Sequence, residues 1–235
     1  MSICVLGRLW CVLVLAIAAA GVKAQSINVD LDIGFGPPEV GNGAPSGSFG
    51  GAAGQPGFWN RVDALDMGPT FLAGLDAQQT SAFMTATYSG FAGGSGGGPN
   101  TGDWKLLLDD YTTIFGGPKE FKFSGLQPGV YALYVYAVVP GGVAVRPVEV
   151  HVGGADPPNP QTVWGPMPGN SARLYVTHSL HFVRIEMGEE LTALLTGPQF
   201  PQGVVNGFQL VLVAEPCSAL VLCGGALLLA LGRRR

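Results

Sequence analysis

Residues Lys119 to Pro140 read KEFKFSGLQPGVYALYVYAVVP. Phe121 and Phe123 alternate with polar neighbours, the period-two pattern of a strand with one buried face. Gln127-Pro128-Gly129 makes a turn, in which proline presets a negative φ and glycine can take a positive one. Tyr131 to Val139 is then rich in aromatic and β-branched residues, the composition of a second strand. Such a hairpin cannot bury its own apolar face, so it needs a second packed layer.

The rest of the chain supplies strands of the same kind. SINVDLDIGFG, from Ser26, alternates Ile27, Val29, Leu31 and Ile33 with Asn28, Asp30 and Asp32, which predicts a half-buried strand with one polar face. WKLLLDD from Trp104 reads as a short strand, and GVAVRPVEVHVGG carries Pro147, which points to an edge strand or a bulge. RLYVTHS, HFVRIEMG, LTALLTG and VVNGFQLVLV complete the set. Between Arg61 and Tyr88 the pattern fits a short helix or a strand pair equally well. Nine of the 24 residues from Gly34 to Gly57 are glycine, so that stretch is a loop, tied down at its end by Phe58 and Trp59. Many short strands with glycine and proline turns predict an all-β, jelly-roll-like antiparallel β-sandwich.

Both ends differ from the middle. Residues 1–24 read as a signal peptide: Arg8, an apolar run from Leu9 to Ala20, then Val22 and Ala24 before a cleavage site. Residues 214–235 hold an apolar run over 217–232 and end on Arg233, Arg234 and Arg235, the pattern of one C-terminal transmembrane helix with its basic end in the cytoplasm. Cys217 to Leu231 would span about 22 Å as a helix, short of the roughly 30 Å hydrocarbon core, so the tail suits a transient anchor better than a permanent one. Residues 25–213 form the ectodomain. From Gln25 to Pro216 seven basic residues face sixteen acidic ones, a net charge of −9, which argues against nucleic-acid binding. All four cysteines, Cys4, Cys11, Cys217 and Cys223, lie in the terminal segments, so the ectodomain holds together without disulfides.

Several motifs carry possible chemistry. GGSGG around Ser95 matches the nucleophile pattern G-x-S-x-G, but it sits in a glycine run with no preceding parallel strand. His178 and His181 would point to opposite faces of a strand, and His151 has no acidic partner nearby in sequence, so no zinc site is expected. Asp109–Asp110 and Glu189–Glu190 fit either the acid and base of a glycoside hydrolase or a solvated rim. Asp30 and Asp32, with loop carbonyls, could hold a structural calcium, but the EF-hand-like D-x-D-x-D-G series is missing and an exposed polar face is the simpler reading. No cofactor is expected.

Ala214, Glu215 and Pro216, the apolar span and the arginine cluster resemble the PEP-CTERM sorting signal of bacterial exosortase substrates. Ala214 stands where that motif has its first proline. FKFSGLQPGVYALYVYA and VNGFQLVLV resemble galactose-binding-like jelly-roll modules of exported bacterial proteins. The resemblance implies signal peptidase and an exosortase-like enzyme as partners, transient insertion in the inner membrane, and a final place at the cell surface or outside the cell. It also implies an extracellular polysaccharide as a partner and Trp59, Trp104 and Trp164 as a sugar platform; three tryptophans pinning loops is the alternative. The function expected is that of a non-catalytic surface or matrix protein with carbohydrate affinity, against a polysaccharide hydrolase or a structural protein with no ligand.

Overall fold

The computed structural model describes residues 25–32, 43–63, 68–87, 92–94, 100–114, 117–138, 147–156, 159–165, 169–197 and 203–213. The signal-peptide and sorting-tail readings, with Ala24, Ala214 and the terminal arginines, lie outside them, as does Ser95. Among the described residues no helix is long and apolar enough to cross a membrane.

Fourteen strands and one helix are described. In chain order they are β1 (Ile27–Asp32), β2 (Trp59–Asp63), β3 (Thr70–Ala73), β4 (Gln79–Ala86), β5 (Ala92–Gly94), α1 (Gly102–Asp109), β6 (Asp110–Ile114), β7 (Lys119–Ser124), β8 (Gly129–Tyr136), β9 (Val148–Val152), β10 (Gln161–Val163), β11 (His178–Ile185), β12 (Leu191–Thr196), β13 (Gly203–Val205) and β14 (Gly207–Val213). A five-stranded sheet runs β11-β8-β14-β1-β2, a six-stranded sheet β10-β9-β12-β7-β4-β3, and a three-stranded sheet β13-β6-β5. The pairing is antiparallel except for β1 with β2, which is parallel.

The two larger sheets share one core. Ile27, Val29, Leu31, Leu133, Val135, Phe208 and Leu210 of the first pack with Met84, Phe121, Phe123, Val150, Leu191 and Leu195 of the second. Phe208 meets Phe121 at 4.9 Å and Phe123 at 5.3 Å between ring centroids. These are the alternating positions of each strand, so the period-two pattern does define the sandwich interior.

The expected polar, solvated face of β1 is wrong: all six of its residues are buried. A cap made of residues 43–57 and α1 covers that outer face and builds a second small core on it. Trp59, Leu107, Leu108, Tyr136 and Val138 form this core, with Phe49 and Trp104 packed against it. Asn28 lies under the cap and bonds Gln209 Nε2 at 2.8 Å and Gln55 Nε2 at 3.2 Å through its Oδ1. Polar residues on a strand face thus mark a covering loop here rather than solvent.

WKLLLDD is helix, not strand. Three consecutive leucines carry no period that separates the two, and leucine and lysine are good helix formers. The helix is fastened from outside by Ser46, whose N–H and O–H donate to Asp103 at 2.6 and 2.9 Å, and within it Lys105 lies 3.6 Å from Asp109 one turn on. The ambiguous segment after Arg61 is the strand pair β3–β4. RLYVTHS is mostly turn, since the strand begins at His178, and Leu174 makes only an isolated bridge. Pro147 stands just before β9, which is paired on both sides by β10 and β12, so the edge strand is β10.

Gly125, between β7 and β8, has φ +68 and passes so close to β4 that a Cβ would collide with the Ser81 carbonyl oxygen. Gly125→Ala is expected to cost about 2 kcal/mol through left-handed strain and that clash, read as a lower midpoint in urea unfolding with an unchanged slope.

Candidate functional site

One end of the sandwich opens into a cleft of about 540 Å³. Its walls come from Gln25 ahead of β1, the β3–β4 hairpin (Gly74 to Ser81) and Gln127 of the β7–β8 turn. The volume is in the range that holds a small ligand. The hairpin turns because Asp76 Oδ1 accepts the Gln78 N–H at 3.1 Å, an aspartate turn that leaves the side chains of Gln78 and Gln79 at the rim. Thr80 O–H donates to the Leu72 carbonyl at 2.7 Å, and Ser81 O–H donates to the Gly125 carbonyl at 2.7 Å, which ties the hairpin to the opposite turn.

Gln25 anchors the inner wall. Its side-chain oxygen accepts the Gln127 N–H at 2.5 Å and the Tyr131 hydroxyl at 3.3 Å. Tyr131 also donates to the Gln127 carbonyl at 3.0 Å, and burial pushes its phenol up to about 12. The turn carrying Gln127 is therefore fixed, while Gln127 Oε1 itself is buried with no hydrogen-bond partner. Among the described residues the lining holds amides, hydroxyls, the Leu75 side chain and one carboxylate, Asp76, and no cation. Such a surface suits a neutral, hydroxyl-rich ligand and repels an anion.

The tryptophans do not form a platform: Trp59 and Trp104 meet on Phe49 in the cap core. Trp59 is 2% exposed, donates its indole N–H to the Phe49 carbonyl at 3.1 Å, and lies beside Phe49 at 5.6 Å. Trp104 meets the same ring edge-on at 5.0 Å. Both pin the cap to the sheet. Trp164 is 61% exposed at the end of β10, where its backbone N–H bonds the Tyr175 carbonyl. None of the three lines the cleft.

The acidic pairs are equally dispersed. Glu189 and Glu190 are exposed turn residues, bonded to the Glu186 N–H at 2.8 Å and the Ser124 hydroxyl at 2.6 Å. Asp109 and Asp110 are buried, which corrects the solvated-rim reading, and neither reaches the cleft. Asp110 interacts with Asp30, which is also buried, as is Asp32, and Arg61 pairs with Asp32. Among the described residues no three histidine, cysteine, aspartate or glutamate side chains converge to hold a metal.

His178 and His181 fall on opposite faces of β11. His178 packs against Tyr134 and Tyr136 at 5.6 and 5.9 Å, and His181 is buried in the sandwich. Burial pushes both imidazoles down to about 4. His151 does have an acidic partner: Glu149, two residues back on the same face of β9, lies 3.6 Å away. The cleft residues went unremarked in the sequence because glutamines in turns look like ordinary solvent-facing residues.

No family model matches this chain, and no curated protein does. Two solved structures show slight similarity. One is a family GH115 4-O-methyl-α-glucuronidase with specificity for decorated arabinogalactans, at 12% identity and TM-score 0.33, covering 54% of this chain and 16% of that one. The other is the Arthrobacter globiformis T6 isomalto-dextranase complexed with panose, at 16% identity and TM-score 0.24, covering 61% and 22%. Both likenesses are too slight to assign a fold or an activity.

Proposed function

We propose that this chain is an exported, non-catalytic surface or matrix protein whose jelly-roll-like sandwich binds a neutral carbohydrate in the cleft between Gln25, the β3–β4 hairpin and Gln127. The observation that carries the reading is an open cleft of about 540 Å³ lined, among the described residues, by amides, hydroxyls and one carboxylate with no cation. The amides of Gln25, Gln78, Gln79 and Gln127, the hydroxyls of Thr80 and Ser81, and Asp76 offer the mixed donors and acceptors that a polyol needs. Removal of residues 1–24 by signal peptidase and sorting through Ala214–Glu215–Pro216 and the arginine cluster would deliver the domain to the surface, where extracellular polysaccharide is the ligand at hand. A hydrolase reading has less support, because the paired aspartates are buried away from the cleft.

Glycan-array screening of the full-length chain in mild detergent, with a parallel assay for released sugar, tests this. Binding of a neutral glycan without turnover is expected, weakened about tenfold or more by Gln127→Ala and by Asp76→Ala, each measured by calorimetry. Turnover would establish the hydrolase instead. Absence of binding to any neutral glycan would leave the protein a structural one.

A further inference from the structure

We propose that Asp30 and Asp110 form a proton-held latch, which keeps the cap of α1 and residues 43–57 seated on the five-stranded sheet in mildly acidic medium and loosens it when both acids ionise in alkaline medium. Asp30 lies on the outer face of β1, fully buried, in register with Gly207 of β14 on one side and Arg61 of β2 on the other. Asp110 follows α1 directly and is also buried. None of their four carboxylate oxygens has a hydrogen-bond partner. The same holds for Asp109 Oδ1, whose other oxygen has Lys105 at 3.6 Å, and for the hydroxyl of Thr112, a buried residue on the Asp110 face of β6.

The surrounding charges do not balance. Arg61 is half-exposed and engaged by Asp32, whose register partner on β2 is Asp63. Lys105 serves Asp109 at 3.6 Å. Among the described residues, full ionisation would set Asp30, Asp32, Asp109 and Asp110 against two cations, Arg61 and Lys105, in a largely dry site, which is untenable without a further positive charge. A proton on each of Asp30 and Asp110 removes two of the four negative charges and leaves the remaining two matched by Arg61 and Lys105. Burial, reinforced by Asp109 and opposed by Arg61, pushes Asp110 up to about 7. Burial, reinforced by Asp110 and opposed by Arg61, raises Asp30 well above the usual carboxylate range.

The latch connects to the cap by short links. Asn206 Nδ2 donates to the Leu108 and Asp110 carbonyls, both at 3.0 Å, so the α1–β6 junction is held beside Asp30. Leu107 reaches over Gly207, where an added Cβ would lie 3.1 Å from its Cδ1. From α1 the connection passes through Trp104 to Phe49 and through Asp103 to Ser46. Repulsion at Asp110 therefore acts on the helix and on residues 43–57 together.

The sign follows from linkage. In the fold Asp110 is protonated where the unfolded chain has already lost its proton, so its contribution is fully present below about pH 4 and is lost as pH rises through about 7, and Asp30 is displaced in the same direction. His178 and His181 work in the opposite direction, costing stability as pH falls from about 6.5 to about 4. The total profile is therefore flattened, and a difference between variants isolates the latch.

Asp110→Asn in the full-length chain is expected to raise Tm by several degrees at about pH 8.5 and leave it unchanged at about pH 4. In the wild type, amide exchange in α1 and residues 43–57, corrected for its intrinsic pH dependence, is expected to speed about tenfold relative to β8 between about pH 6 and pH 9. Infrared spectra of the wild type should show a protonated-carboxyl band at about pH 6 that weakens by about pH 9 as Asp110 ionises, and that weakening should be lost in Asp110→Asn. Absence of that band in the wild type, or an equal Tm loss in Asp110→Asn at every pH, overturns the latch. A chelator-reversible Tm gain with calcium at about pH 8.5 also overturns it, by making the cluster a metal site.

Discussion

Asn206→Ala is expected to destabilise the protein by about 3–5 kcal/mol, read as a lower urea midpoint, and to release the helix along with the stability. Asn206 is fully buried in the single-residue step between β13 and β14. Its side chain accepts the Val138 N–H at 2.7 Å and donates to the Leu108 and Asp110 carbonyls at 3.0 Å each. Its own backbone is used as well: its N–H bonds the Tyr136 carbonyl and its carbonyl accepts from Leu31, both at 2.9 Å. Alanine keeps the backbone bonds and orphans three buried groups, each worth about 1–3 kcal/mol. The sum is taken below simple addition because one water could enter the vacated space and bond two of them. Asn206→Asp separates the roles. It retains the acceptor for Val138 but replaces a donor with a charge facing two carbonyls beside Asp110, so it is expected to be at least as harmful near pH 8 as alanine and milder near pH 4.

The sandwich was legible because its strands obey one rule. Phe121, Phe123, Val148, Val150, Leu191, Ala193 and Leu195 alternate with exposed or half-buried neighbours, and period two is visible without knowing the partner strand. β1 obeys the same alternation and still misled, because Asn28, Asp30 and Asp32 face a cap supplied by residues distant in sequence. A local pattern records polarity, and only the tertiary structure determines whether that polarity meets water or a covering loop. The same reason hid the acidic cluster: Asp30 and Asp110 each stand out in the sequence, but they are 80 positions apart and no local pattern joins them. The cleft was hidden differently. Gln25 precedes β1 while Gln78 and Gln127 lie in two separate turns, and their convergence depends on Gly125 allowing β4 close to the β7–β8 turn. The WKLLLDD segment failed because a short apolar run carries no period, and the bonds that fix it as helix come from Ser46.

Phe208→Ala is expected to cost about 3–5 kcal/mol, the range for emptying a fully buried aromatic site. Phe208 sits two residues beyond Asn206, in register with Val29 of β1 and Val135 of β8, at the centre of the five-stranded sheet. It is the residue through which that sheet meets Phe121 and Phe123 of the other, tilted at 53° to the first ring and edge-on at 74° to the second. Truncation removes both ring contacts, worth about 0.5–1.5 kcal/mol each beyond area burial, and leaves a void between two rigid sheets that cannot collapse cheaply. Phe208→Leu keeps most of the volume and loses mainly the ring contacts, so about 1–2 kcal/mol is expected. The pH dependence distinguishes this core from the cap above it. Phe208 faces the sandwich interior while Asp30 and Asp110 lie beyond the opposite face of the sheet, so the cost of Phe208→Ala should be the same at about pH 5 and pH 8. Urea titrations of both variants at the two pH values provide the measurement, and a Phe208→Ala cost that changed with pH would mean the two layers do not act independently.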